Sequence, residues 1–390
     1  MRPSQRTEGS KPYYFATKLA EIRAMEAAGQ PVINLGIGSP DMAPPVEALH
    51  ALIQDVQRPG AFMYQSYRGL PELREAVRLW YAEDYRVTVP EHAEPLLTQG
   101  SKEALHFVLL AYLNPGEEVL VPNPGYPAYP SAAKLAGGRA VPYDLDPSHG
   151  WLPQVEVLNA AATERTRVLM LNYPHMPTGA APDLRVLEAV LAWAASREVL
   201  VVHDNPYSHT LSEEPFSLFQ CAGSWEGSIE LNSLSKSASM AGGRLGLVLG
   251  SAELLAPAFT VQSSFSSGTF RPLQRAAIAA LQHAREYRQS TNAVYRERKA
   301  AVHALFDHLG CAYDPEAQGL FVWAEVPPCY AQAEALSEAL LQQAHVFMPP
   351  GHIFGSRGAR YLRASLCQPT RVIQDALTSI QTNLTQSSIR

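Results

Sequence analysis

Between about residues 46 and 285, short apolar runs alternate with stretches of helical periodicity, and this alternation constrains the fold more than any other feature of the 390-residue chain. The apolar runs fall at residues 95–98, 118–122, 139–143, 167–172, 198–203, 228–232 and 245–250. Between them, SKEALHFVLLAYL (101–113) and LRVLEAVLAWAAS (184–196) carry apolar residues at three- and four-residue spacing, as helices with one buried face do. Strand and helix in alternation is the pattern of βαβ units. The expected fold class is therefore α/β: a large domain with a mostly parallel seven-stranded sheet flanked by helices, plus a smaller α+β domain. The texture changes near residue 285, where REYRQSTNAVYRERKAAVHALFDHLG predicts a long helix followed by the strands GLFVWAEV and YLRASL. At the other end FATKLAEIRAMEAAG predicts a helix closed by Gly29, leading into the turn GIGSPDMAPP. Three parts are expected: an N-terminal arm (1–45) packing with the small domain, a large domain (46–285), and a small C-terminal domain (286–390).

Composition narrows the function classes. With 46% hydrophobic and 17% charged residues the chain can bury a sizeable core. A net charge of −6 and the lack of a basic run argue against nucleic acid or an anionic membrane as partner. Cys221, Cys311, Cys329 and Cys367 are widely separated and form no CxxC pair, so neither a metal site nor a disulfide framework is expected, and a reducing compartment is. The N-terminus has no apolar core of signal-peptide length, and no window reaches the roughly 18 apolar residues of a membrane span. A cytoplasmic protein with a small-molecule ligand is the expectation.

An open α/β sheet places its ligand at the C-terminal ends of its strands; three such ends carry polar residues, and one further stretch carries a lysine. In TQGSKEAL (98–105) a strand stops at a glycine and a helix begins at Ser101. Free N–H groups and the positive end of the helix dipole suit a phosphate, although a capping box of Ser101 with a nearby glutamate explains the pattern equally well. In VLVVHDNPYSHT an apolar strand ends at Asp204. A carboxylate delivered there is costly unless something cationic meets it, such as a protonated ring nitrogen; a turn aspartate before Pro206 is the alternative. In RVLMLNYPHMPTGA, Asn172 is followed by Pro174 and Pro177, which stiffen a loop that is either a site wall or only a loop. In SLSKSASMAGGRLG (233–246), Lys236 sits among small residues, either an ordinary helix-start lysine or an amine kept reachable for an aldehyde. Gly36 and Gly38 lack the third glycine and the helix opening of a dinucleotide loop.

Together these segments ask for one ligand with a phosphate, a cationic aromatic nitrogen, a phenolate-like oxygen and an aldehyde. From about residue 12 to 370 the chain resembles a fold-type I pyridoxal-phosphate-dependent aminotransferase of the class I/II family. LGIGSPD, YQSYRGLPELREA, TQGSKEAL, PNPGYPAY, NYPHMPTG, DNPY, SLSKSASMAGGRLG and YLRASL occur in the family's order. The resemblance implies pyridoxal 5′-phosphate as cofactor, with Lys236 forming the Schiff base, Asp204 keeping the pyridine nitrogen protonated, and Tyr207 bonded to the phenolic oxygen. It implies Tyr126 stacked on the ring, Asn172 beside it, and the phosphate held by Ser101, Lys102, Ser233 and Arg244. Tyr64 would reach the phosphate from a neighbouring subunit, implying a homodimer with shared active sites. Arg363 would grip the substrate carboxylate by a bidentate pair, under a loop containing Gly38. Transamination between an L-amino acid and a 2-oxo acid is implied; a lyase on the same scaffold, or a non-catalytic sensor, are the alternatives. The KPYYFATKLAEI arm and GSKEAL resemble members acting on diaminopimelate, aspartate, methionine or aromatic amino acids. Arg23 and Arg271 are candidates for a second substrate arginine or plain surface charges. One departure stands out: where the family reads N-P-T-G this chain has Met176, and a thioether cannot donate to the phenolic oxygen.

Overall fold

The computed structural model describes residues 4–7, 14–93 and 95–384; residues 11–13 of the arm motif lie outside that set. Among the described residues there are twelve strands: β1 (Ile33–Asn34), β2 (Leu96–Thr98), β3 (Glu118–Asn123), β4 (Arg139–Asp144), β5 (Thr166–Leu171), β6 (Leu200–Asp204), β7 (Ser228–Ser233), β8 (Gly246–Leu249), β9 (Ala312–Tyr313), β10 (Phe321–Glu325), β11 (Val346–Phe347) and β12 (Tyr361–Ser365). All seven apolar runs form strands of one sheet, in the order β2-β8-β7-β6-β5-β3-β4. The sheet is parallel from β7 to β4, and β8 runs antiparallel to both its neighbours. Every residue of β3, β6 and β7 is buried, because the sheet is covered on both faces. One apolar layer contains Leu105, Val108 and Leu109 against Val119, Val121 and Val202; the opposite layer contains Leu187, Val190 and Leu191 against Leu120, Leu169 and Val201. The edge strand β4 is only half covered and admits Arg139 and Pro142.

After β4 the chain crosses to the other side of β3, and β5, β6 and β7 follow in that direction. The reversal opens a crevice beyond the carboxyl ends of β3 and β5, the position where such sheets take their ligands.

The helices of interest are α1 (Tyr14–Ala27), α2 (Val46–Val56), α3 (Pro71–Asp84), α4 (Ser101–Tyr112) and α5 (Ala128–Ala136). The charged stretch near 285 forms a 25-residue helix, Ala284–His308, about 37 Å long at 1.5 Å per residue. Its buried face, with Tyr295, Val302, Leu305 and Phe306, packs in one core with Phe15 and Ile22 of α1 and with β10 and β12. Residues 33–41 are stitched onto the same core: β1 pairs with β11, Ser365 N donates to Leu35 O at 2.7 Å, and buried Arg298 grips Asp41 through both guanidinium nitrogens at 2.6 and 2.8 Å. The segment containing Gly36 and Gly38 is thereby fixed over the crevice. No helix among the described residues is long and apolar enough to cross a membrane.

Candidate active site

The crevice holds a cavity of about 320 Å³, lined by ends of β3, β5, β6 and β7, the start of α4, the Gly36–Gly38 segment and Arg363. Ser101, Lys102, Tyr126, Asn172, Asp204, Tyr207, Ser233, Lys236, Arg244, Gly38 and Arg363 all line it. Tyr64 does not; its side chain is 91% exposed.

At one end, α4 opens with Gly100 as N-cap at φ +89°, with no side chain capping the first turn. The first N–H groups of a helix have no intrahelical acceptor, so those of Ser101 and Lys102 are available to an anion. The capping-box alternative is corrected here: Glu103 turns back to Gln99 N at 2.5 Å, and Ser101 is the first helical residue rather than the cap. A Cβ on Gly100 would lie 2.4 Å from Arg244 Nη2, so only glycine lets the guanidinium cover the helix start. Arg244 is held there by the carbonyls of Ala241 and Gln99, at 3.0 and 3.1 Å. Ser233 ends β7 and caps the next short helix, accepting from Ser235 N at 3.1 Å.

At the floor, Asp204 ends β6. Its Oδ2 accepts from Tyr129 Oη at 2.9 Å, while Oδ1 is buried without a partner. Burial pushes this carboxyl up to about 6, opposed by the Tyr129 hydrogen bond and nearby His203. Asn172 is spent mostly on backbone: Nδ2 donates to Asp204 O at 2.6 Å and Oδ1 accepts from Met176 N at 2.8 Å. One amide hydrogen remains to turn toward the cavity. The Tyr207 phenol is raised far above its usual range by burial, with Arg363 opposing.

Lys236 stands between these ends, its Nζ bonded to the carbonyl of Gly38. Burial lowers its pKa, opposed by Cys367 and aided by Arg363 and Arg244, a direction that favours the nucleophilic amine. Arg363, on β12 opposite Trp323, is caged by aromatic rings: its guanidinium lies 3.9 Å from the Phe321 centroid and 4.4 Å from that of Phe354. Nη2 donates to Gly36 O at 2.7 Å and Nη1 to Met176 Sδ at 3.4 Å. Of the candidate second arginines, Arg271 is committed to Asp55 at 2.8 Å, and neither it nor exposed Arg23 lines the cavity.

Sequence reasoning missed the aromatic cage and Tyr129. The cage comes from three distant segments and has no local signature. Tyr129 lay within PNPGYPAY, three residues after Tyr126, and this second tyrosine close to the first is the signal that could have found it.

The model of aminotransferase class I and II matches residues 30–380, and the chain belongs to that family. The LL-diaminopimelate aminotransferase of Moorella thermoacetica is 33% identical over 383 residues, 98% of each chain. Transaminase BacF of Bacillus subtilis is 33% identical over 369 residues, 94% of this chain and 92% of its own. Among solved structures, apo-BacF superposes with a TM-score of 0.93 at 32% identity over 98% of both chains. The aspartate aminotransferase of Thermus thermophilus with maleate gives 0.90 at 28%, over 98% of this chain and 100% of that one. The protein is a fold-type I transaminase, exchanging an amino group between amino acids and 2-oxo acids with pyridoxal phosphate as cofactor.

The residues present fit that cofactor. A partnerless buried carboxylate oxygen would suit a cationic ring nitrogen, an uncapped helix start under an arginine would suit a phosphate, and an amine whose pKa burial lowers lines the same cavity.

Proposed function

We propose that this cavity performs the transamination with Lys236 as its nucleophile and proton carrier. Pyridoxal phosphate supplies, when bound, an aldehyde and an electron-accepting pyridinium ring. Asp204 Oδ1 would pair with the ring nitrogen, Tyr207 would donate to the phenolic oxygen, and Tyr126 would lie against the ring face. Asn172 would turn its remaining N–H toward the ring. Backbone N–H groups of Ser101 and Lys102, with Ser233 and Arg244, would hold the phosphate. Arg363 binds the substrate's α-carboxylate, pre-oriented by Gly36 O and by its aromatic cage, beneath the Gly38 segment. Lys236 Nζ would take the proton from the substrate's Cα and give it back two bonds away, across the nitrogen being transferred. The observation that carries this reading is the convergence of half-buried Lys236, the partnerless Asp204 oxygen and caged Arg363 on one cavity.

The division into an arm (1–45), a large domain (46–285) and a small domain (286–390) belongs to the same proposal, with the cavity between the last two. So do a cytoplasmic location and a homodimer in which Tyr64 serves the neighbouring site. Exposed Val46, Ile53, Phe62, Met63, Tyr64 and Phe265 support the dimer, being 52–91% accessible, because monomers rarely leave such apolar area open.

Purified enzyme mixed singly with a panel of amino acids, including aspartate, aromatic residues and LL-diaminopimelate, should show spectral conversion of the bound cofactor with at least one donor. Lys236→Ala should lower turnover by about 10³-fold or more; turnover near the wild-type rate would overturn the assignment.

A further inference from the structure

We propose that Tyr129 is a positioning residue for the cofactor ring, holding Asp204 ionised and turned so that one carboxylate oxygen faces the ring nitrogen. This rests on the reading of Asp204 as the partner of that nitrogen.

The geometry has three parts. First, Tyr129 Oη donates to Asp204 Oδ2 at 2.9 Å, with both residues buried, so one oxygen of the carboxylate is pinned by a neighbouring wall of the cavity. Second, the other oxygen, Oδ1, is buried and without a partner, and Asp204 lines the cavity. A carboxylate free to rotate would present neither oxygen reliably; one tethered oxygen aims the other. Third, Tyr129 meets the ring of Tyr126 edge-on, with centroids 5.5 Å apart and planes at 87°. From the second residue of α5, Tyr129 thus lines the cavity and touches both Asp204 and Tyr126.

Charge supports this role. The groups facing the carboxylate are Tyr129 from α5, His203 on its own strand and Tyr207 on the loop that follows. His203 is in turn bonded to Glu230 of β7 at 2.8 Å. Burial raises the Asp204 pKa, and the Tyr129 hydrogen bond is the largest opposing influence. The Tyr129 phenol is itself held well above its usual range by burial and by Asp204, so its proton stays on the phenol and the bond stays charge-assisted. Removing the hydroxyl raises the Asp204 pKa further. The carboxylate is then protonated at higher pH, and a protonated Asp204 cannot pair with a cationic ring.

Tyr129→Phe removes the hydroxyl and keeps the ring against Tyr126. Apoenzyme reconstituted with pyridoxal phosphate, with affinity followed by cofactor absorbance and fluorescence from pH 6 to 8.5, should bind about tenfold more weakly than wild type at pH 6 and within about twofold at pH 8.5. In an Asp204→Asn background the same change should alter affinity by less than about twofold, since an interaction acting through Asp204 vanishes with it. Equal affinity of Tyr129→Phe and wild type across the range overturns the proposal. So does a loss that is independent of pH or that persists in the Asp204→Asn background, since either would mark Tyr129 as a packing residue. Wild-type enzyme that fails to bind pyridoxal phosphate at all would instead overturn the reading of the site.

Discussion

Met176 shows how one residue can keep half of a role. It is buried, lines the cavity and accepts from Arg363 Nη1 at 3.4 Å, so the substrate clamp retains a neighbour on that side. A thioether is a weak acceptor and cannot donate, which leaves Tyr207 and the remaining amide hydrogen of Asn172 to stabilise the cofactor's phenolic oxygen. Met176→Asn restores a donor and a stronger acceptor together. The visible absorption band of the loaded enzyme should titrate at lower pH than in wild type, because a further hydrogen bond favours the deprotonated oxygen. The KM for the amino-acid donor should fall by about threefold as Arg363 is held more firmly. An unchanged or upward-shifted midpoint would contradict this account of Met176.

At the scale of an element, the start of α4 depends on the absence of side chains. Gly100 has φ +89° and ψ 160°, a region closed to other residues at a cost of about 1–3 kcal/mol. An added Cβ would also displace Arg244. Gly100→Ala should therefore damage phosphate recognition selectively: pyridoxal phosphate should bind at least about tenfold more weakly, a loss of about 1.4 kcal/mol, while pyridoxal without its phosphate is little affected. Equal losses for the two ligands would show that the substitution disturbs the whole cavity instead. Glu103 contributes by turning away from the helix start to Gln99 N, which keeps a negative charge off the place an anion would occupy.

At the scale of the molecule, the apolar surface on α2 and the segment around Phe62 to Tyr67 needs a cover. Light scattering should give about twice the 42.6 kDa chain mass. If Tyr64 serves a neighbouring site, the paired change Leu49→Asp and Ile53→Asp should yield a folded monomer with little activity; a monomeric wild type with full activity would refute the shared-site reading. Much of this molecule was legible in the chain alone. The seven apolar runs became the seven strands, within two residues at each end, because a sheet covered on both faces demands continuous apolar segments that nothing else in the chain imitates. Ser101, Asn172, Asp204 and Lys236 could be read as a group because each lies at or just past the carboxyl end of a strand of one sheet, β2, β5, β6 and β7, and local patterns encode those ends. What the chain could not disclose depends on contacts between distant segments. The capping of α4 was undecidable until the backbone of Gly100 and the direction of Glu103 were known. The cage around Arg363 needs Phe15, Phe321 and Phe354, more than three hundred residues apart at the extremes, to meet at one guanidinium. The bond from Tyr129 to Asp204 joins residues 75 positions apart, so its partner was set only when α5 came to lie near the end of β6. Local periodicity determined the elements and the chemistry at their ends, while tertiary packing decided which side chains orient that chemistry, because hydrogen bonds and ring contacts follow distance in space rather than along the chain.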